Sequence, residues 1–137
     1  MDNIPYGTRA IAENTLERWP NPTPERDYEI AITAPEFTCL CPRSGYPDFA
    51  TIHLRYVPGD WVVELKSYKL YINGFRDRPV SHEAAANQIL DTLVGLLAPR
   101  WMELRADWTP RGNVHTVITA CYRQAGWVAG PDGPAGA

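Results

Sequence analysis

The sequence predicts an α+β domain: one antiparallel sheet with two helices packed on one face. Three observations carry that expectation. Ala50, Ile52, Leu54 and Tyr56 alternate with Thr51, His53 and Arg55, the period of two of a half-buried strand. Met102, Leu104, Ala106 and Trp108 alternate in the same way with Glu103, Arg105 and Asp107. Between them, Ala86, Ile89, Leu90, Leu93, Leu96 and Leu97 recur as one apolar helical stripe. The order strands, helices, strands is that of a sheet covered by helices. Such a sheet has two open edges, which a small domain must cover or pair. Self-assembly of sheets into a ring is the expected solution.

The elements follow in order. Residues 1–27 carry Pro20, Pro22 and Pro24 close together and read as an irregular arm. Tyr28 to Ala34 reads as a short strand, followed by a proline-punctuated loop from Pro35 to Asp48. The strand of Ala50 to Tyr56 turns at Pro58-Gly59-Asp60 into a second strand, Trp61 to Leu65. Tyr68, Ile72 and Phe75 then repeat at helical spacing. Ser81 is placed to N-cap the next helix, with Glu83 in its first turn, and Pro99 follows its end. Thr109-Pro110-Arg111-Gly112-Asn113 turns the chain from the strand ending at Trp108 into a partner strand, Val114 to Tyr122. Residues 124–137 are mostly Gly, Pro and Ala and read as a tail. A single domain over 28–123 is expected.

Bulk properties narrow the function. A 137-residue chain with 45% hydrophobic and 21% charged residues suits one globular domain. A net charge of −3 argues against a general nucleic-acid or membrane footprint. No stretch has the apolar length of a membrane span, and Met1 to Pro5 lack the pattern of a signal peptide. A cytoplasmic setting is expected. The three cysteines, Cys39, Cys41 and Cys121, are not spaced as a disulfide framework, so each must be explained by burial or by reactivity.

Two stretches carry candidate chemistry. Cys41 lies in the proline-rich loop, seven residues before Asp48. A thiolate is the best side-chain nucleophile at neutral pH, and a nearby carboxyl group can move the proton that its attack requires. Cys39 is the second candidate, and burial as a small hydrophobe is the alternative for either. The other stretch, Val62 to Tyr71, places Glu64 at the tip of an apolar run and Lys66 and Lys69 on one helical face. On its own it reads first as an amphipathic turn with solvated lysines, and it also suits anion binding. His82 and Glu83 open the second helix, where they can contact a ligand or simply serve the helix end. Arg111 sits in a glycine turn, free to hold a phosphate or to face solvent. Cys39, Cys41 and His82 lack the spacing of a zinc site, and there is no Gly-rich phosphate loop or dinucleotide fingerprint.

Taken together, several segments carry a family resemblance. They are Pro35-Glu36-Phe37-Thr38, Leu40-Cys41-Pro42, Pro47-Asp48-Phe49-Ala50, Glu64-Leu65-Lys66-Ser67-Tyr68-Lys69-Leu70-Tyr71, His82-Glu83 and Thr109-Pro110-Arg111-Gly112. The sequence resembles the NADPH-dependent 7-cyano-7-deazaguanine reductases, the nitrile reductases of queuosine biosynthesis, in their short single-module form. Leu65 stands where Ser is common in that block. The resemblance implies a tunnelling fold assembled into rings, with active sites between subunits. It implies that Cys41 attacks the nitrile carbon to give a covalent thioimide, that Asp48 is the proton donor, and that His82 assists proton movement. It further implies that Val63, Glu64, Leu65, His82 and Glu83 bind the substrate, and that Lys66, Lys69 and Arg111 bind the phosphates of NADPH. No metal is implied, and the partners are the small-molecule substrate and further copies of the chain.

Overall fold

The computed structural model of the chain describes residues 3–137. Its centre is a four-stranded antiparallel sheet in the order β2-β3-β5-β6, comprising Ile30–Leu40, Pro47–Val57, Trp101–Trp108 and Val117–Arg123. The predicted alternation decides which face is covered. Ile52, Leu54, Tyr56, Leu104 and Ala106 are buried, while Thr51, His53, Arg55, Glu103, Arg105 and Asp107 point to the other, polar face. Helix α3, His82–Leu97, packs on β5 and β6, and helix α2, Leu65–Asn73, packs on β2. Ile89, Leu93 and Leu97 of α3, with Tyr68 and Ile72 of α2, close the core over the apolar face. The α+β layer arrangement expected from the pattern is therefore present, with two helices on one side of the sheet.

Four local features differ from expectation. First, residues 3–27 are irregular only in part. Helix α1, Tyr6–Glu13, packs against α2, and strand β1, Arg18–Pro20, pairs antiparallel with β4, Trp61–Val63. Contacts distant in sequence hold this arm: Asn14 Nδ2 donates to the Ser67 carbonyl at 3.1 Å, and the Glu17 backbone amide donates to Ser67 Oγ at 2.9 Å. Met1 and Asp2, the first residues of the expected arm, lie outside the described residues.

Second, most of the expected Pro35–Asp48 loop is sheet. Strand β2 continues to Leu40 and β3 starts at Pro47, leaving only residues 41–46 as the connection. Pro35 is tolerated because the pairing slips there: Ala34 faces Ile52, but Phe37 faces Ala50. Pro35 and Glu36 together oppose one residue, a β-bulge, where the missing proline N–H breaks no ladder bond.

Third, the strand from Trp61 ends at Val63. The Glu64 carboxylate accepts from the Lys66 and Ser67 amides, each at 2.8 Å, and so caps α2 and starts the helix at Leu65. Fourth, the last strand begins at Val117, because Arg111 to Val114 form a tight turn in which Gly112 and Asn113 have φ of 57° and 65°. Residues 124–137 fold back on the chain. Trp127 donates to the Asp27 carboxylate at 3.1 Å, and Arg55 donates to the Ala135 carbonyl at 3.1 Å.

Candidate active site

The bulge determines where the thiol points. Before it, the even-numbered residues Ile30, Ile32 and Ala34 of β2 face the core. After it the parity is reversed, and Phe37 and Cys39 are the buried residues. One extra residue has moved the odd-numbered side chains to the inner face. Cys39 is paired directly with Asp48, and the Cys41 amide continues the ladder by donating to the Tyr46 carbonyl at 2.8 Å. Cys41 therefore lies on the same face as Asp48, one diagonal step away, a separation of roughly 7–8 Å between Cα atoms.

The two cysteines have opposite environments. Cys39 is fully buried with its thiol toward the Val80 carbonyl, and burial, reinforced by the negative charges of Asp48 and Cys41, pushes its pKa up to about 11. Cys41 is half-buried in the 41–46 turn, closed by a Gly45 N–H to Cys41 carbonyl bond of 2.9 Å. Gly45 has φ 75°, which the turn requires and a side chain would resist. The Ser44 hydroxyl, then the Ser44 and Arg43 amides, stabilise the Cys41 thiolate and bring its pKa down from 9.0 to about 7, against opposition from desolvation and the Asp48 charge. Of the two, Cys41 is therefore the thiol whose thiolate is favoured near neutral pH.

Asp48 is buried, 3% exposed, at the end of the sheet. His82 Nε2 lies 3.3 Å from its Oδ2, and Arg111 donates to its Oδ1. His82 is brought there by the chain between the helices. The Leu40 amide donates to the Arg78 carbonyl and the Val80 amide donates to the Leu40 carbonyl, so this segment lies beside the end of β2. Ser81 then caps α3 by accepting from the Ala84 amide at 3.1 Å, as its position predicted. The imidazole stacks on the Trp108 ring, with centroids 4.0 Å apart and planes 13° apart. Arg111 is delivered by its turn, which the Thr109 amide ties to the Phe49 carbonyl of β3 at 2.8 Å. Its guanidinium is held charged chiefly by Asp48 and to a lesser extent by Cys41.

The structure therefore brings together Cys41, Asp48, His82 and Arg111. Arg111, expected at a cofactor phosphate, stands on the Asp48 carboxylate. Glu83 is exposed at the first turn of α3, next to this group. The remaining expected residues lie elsewhere in the protomer. Glu64, Lys66 and Lys69 line a groove of about 700 Å³ between α1 and α2, and none of Cys41, Asp48, His82 or Arg111 lines it. Val63 is buried with its amide on the Tyr56 hydroxyl, and Leu65 is exposed. Glu64 is occupied as a helix cap, and the Lys66 and Ser67 amides hold its carboxyl below the usual range. Sequence reasoning missed Ser44 and Trp108 at this site. Ser44 was legible as a hydroxyl three residues past the thiol, and Trp108 as the last inward position of its strand.

Comparisons with known proteins identify the class. The fold matches that of the archaeosine synthase QueF-Like in its apo form, with a TM-score of 0.64 at 18% identity over 68% of this chain and 91% of that one. The family model described as QueF-like protein matches residues 47–127. The chain is 63% identical, over 113 residues, to the NADPH-dependent 7-cyano-7-deazaguanine reductase of Aquifex aeolicus (strain VF5), covering 82% of this chain and 88% of that one. It is 59% identical, over 121 residues, to the protein of the same name from Microcystis aeruginosa (strain NIES-843 / IAM M-2473), covering 88% and 92%. The chain belongs to the QueF-like family of NADPH-dependent 7-cyano-7-deazaguanine reductases.

Proposed function

We infer that this chain reduces the nitrile of 7-cyano-7-deazaguanine to the primary amine of 7-aminomethyl-7-deazaguanine, using NADPH, in tRNA queuosine biosynthesis. The observation that carries the reading is that Cys41, its pKa brought down to about 7, stands on the same face of the sheet as the buried Asp48 carboxylate, one diagonal step away.

A nitrile carbon is a weak electrophile, and covalent capture divides its reduction into easier steps. Cys41 Sγ forms a bond to that carbon as one π bond of the nitrile breaks. The thiol proton passes through Asp48 to the nitrile nitrogen, leaving a thioimide. His82 and Arg111 hold the Asp48 carboxylate in place for this transfer. When the carbon has been reduced once, the C–S bond breaks and its electrons return to Cys41 as thiolate. When bound, NADPH supplies the hydride, and two are needed to take a nitrile to an amine. Lys66 and Lys69 fit its phosphates, being exposed cations on one wall of a groove large enough for a nucleotide. Glu83, exposed beside His82, accepts from the donor edge of the purine.

A second copy of the chain completes the site. Within one protomer the Cys41 group and the Glu64, Lys66 and Lys69 group do not share a cavity. Strands β2 and β6 are the edges of the sheet; apart from the isolated bridge of Leu40 to Pro79, no further strand pairs with them among the described residues, so they can pair with neighbours. A ring in which a neighbour's Val63, Glu64 and Leu65 approach Cys41 joins the two halves and excludes water from the thioimide. Among the described residues no helix is long and apolar enough to cross a membrane, and the unpaired cysteines suit a reducing cytoplasm.

The test is spectrophotometric. With NADPH and 7-cyano-7-deazaguanine, nicotinamide absorbance falls by two equivalents for each substrate consumed. Folded protein that consumes none removes the reading.

A further inference from the structure

The groove between α1 and α2 has a second cationic end that the reading above does not use. Lys66, Lys69, Asn73 and Arg76 follow one another at spacings of three, four and three, and all four line the groove. The stripe runs past the end of α2, because the Phe75 and Arg76 amides continue the turns by donating to the Ile72 and Asn73 carbonyls. Ten steps of helical rise make it roughly 15 Å long. Arg9 of α1 lines the facing wall, and Thr8 Oγ1 of α1 accepts from the Arg76 guanidinium at 3.0 Å. Two exposed carboxylates, Glu13 and Glu17, also line the groove, while the Glu64 carboxylate is satisfied by two helix amides.

We propose that this groove seats the adenosine end of the dinucleotide and that Arg76, oriented by Thr8, is the residue that reads its 2′-phosphate. The inference rests on the assignment of Lys66 and Lys69 to NADPH. If the reacting end lies toward Val63–Leu65, the lysines that follow meet the diphosphate, and the next cation along the groove meets the phosphate on the adenosine ribose. The choice of Arg76 follows from its chemistry. A planar guanidinium presents paired N–H donors to two oxygens of a phosphate monoester, which an ammonium does not. Helix α1 thus serves as the outer wall of a nucleotide site.

Adenosine 2′,5′-bisphosphate and adenosine 5′-monophosphate differ only in the 2′-phosphate, and isothermal titration with each reads the contact without turnover. The wild-type protein is expected to prefer the bisphosphate. Arg76→Gln should weaken the bisphosphate about 10- to 100-fold, the usual range for one charge-assisted contact, while affinity for the monophosphate holds. Thr8→Val should give a smaller loss in the same direction, and Lys66→Gln should weaken both ligands. Arg76 is exposed, so the glutamine variant keeps the fold. A wild type with no preference overturns the proposal. So does an Arg76→Gln variant that keeps its preference or loses both ligands equally. NADPH consumption by the wild type, measured alongside, reports on the reductase reading separately.

Discussion

His82 Nε2 stands 3.3 Å from Oδ2 of Asp48, while Arg111 holds the other oxygen of the same carboxylate. A buried acid so held has a fixed direction. Asp48→Asn keeps the shape and removes the proton transfer. It should lower kcat about 10²- to 10⁴-fold in steady-state assays, with the KM for NADPH little changed. Wild-type kcat in this variant would separate Asp48 from the chemistry.

The turn around Cys41 makes a pH prediction. Because its thiolate is favoured, the reactive form grows as pH rises through about 7 rather than through the ordinary 9.0. Alkylation by iodoacetamide, followed by mass spectrometry, should show a midpoint near 7 at Cys41. Ser44→Ala removes the largest stabilising contact and should move that midpoint upward. Cys39, whose pKa is raised to about 11, should stay unmodified throughout this range.

The bulge at Pro35 and Glu36 yields a sharper test of the parity argument. Glu36 is exposed, and Glu36→Ala should change stability by no more than about 0.5 kcal/mol. Deleting Glu36 removes the extra residue, turning Cys41 to the polar face or forcing the register before it to slip. The deletion should abolish reductase activity where the alanine variant retains it. An active deletion variant would show that the bulge does not orient the thiol.

Helix α3 both closes the core and carries His82. Leu93 is fully buried, and Leu93→Ala should cost about 2–5 kcal/mol in urea unfolding. Ser81→Ala removes the cap and should cost about 1 kcal/mol. It should also lower kcat through the adjacent His82, an effect the Leu93 variant should not show at temperatures where it remains folded.

Local pattern made the sheet and its covering helices legible. Thr51 to Tyr56 and Met102 to Trp108 alternate cleanly because one face of each strand is buried, and the α3 stripe and its Ser81 cap are likewise local signals. The bulge was not legible. It depends on which residues of β3 stand opposite Ala34 and Phe37, and Pro35 read locally as a loop. Strand β1 was hidden because its partner β4 is more than 40 positions away. Helix α1 was hidden because it has no buried residue and is ordered by contact with α2. Cys41, Asp48, His82 and Arg111 could be picked out one by one. Their convergence, and the placing of Arg111 on Asp48, depend on how the 78–80 segment and the 109–114 turn dock against β2 and β3.

The measurement that bears most directly on the account is intact-protein mass spectrometry of the chain mixed with 7-cyano-7-deazaguanine and no nicotinamide, followed by peptide mapping. One adduct of the full substrate mass on Cys41, absent in Cys41→Ala and slowed in Asp48→Asn, is the predicted result. An unmodified Cys41 in protein that binds the substrate, or an adduct on Cys39 or Cys121 instead, would contradict it.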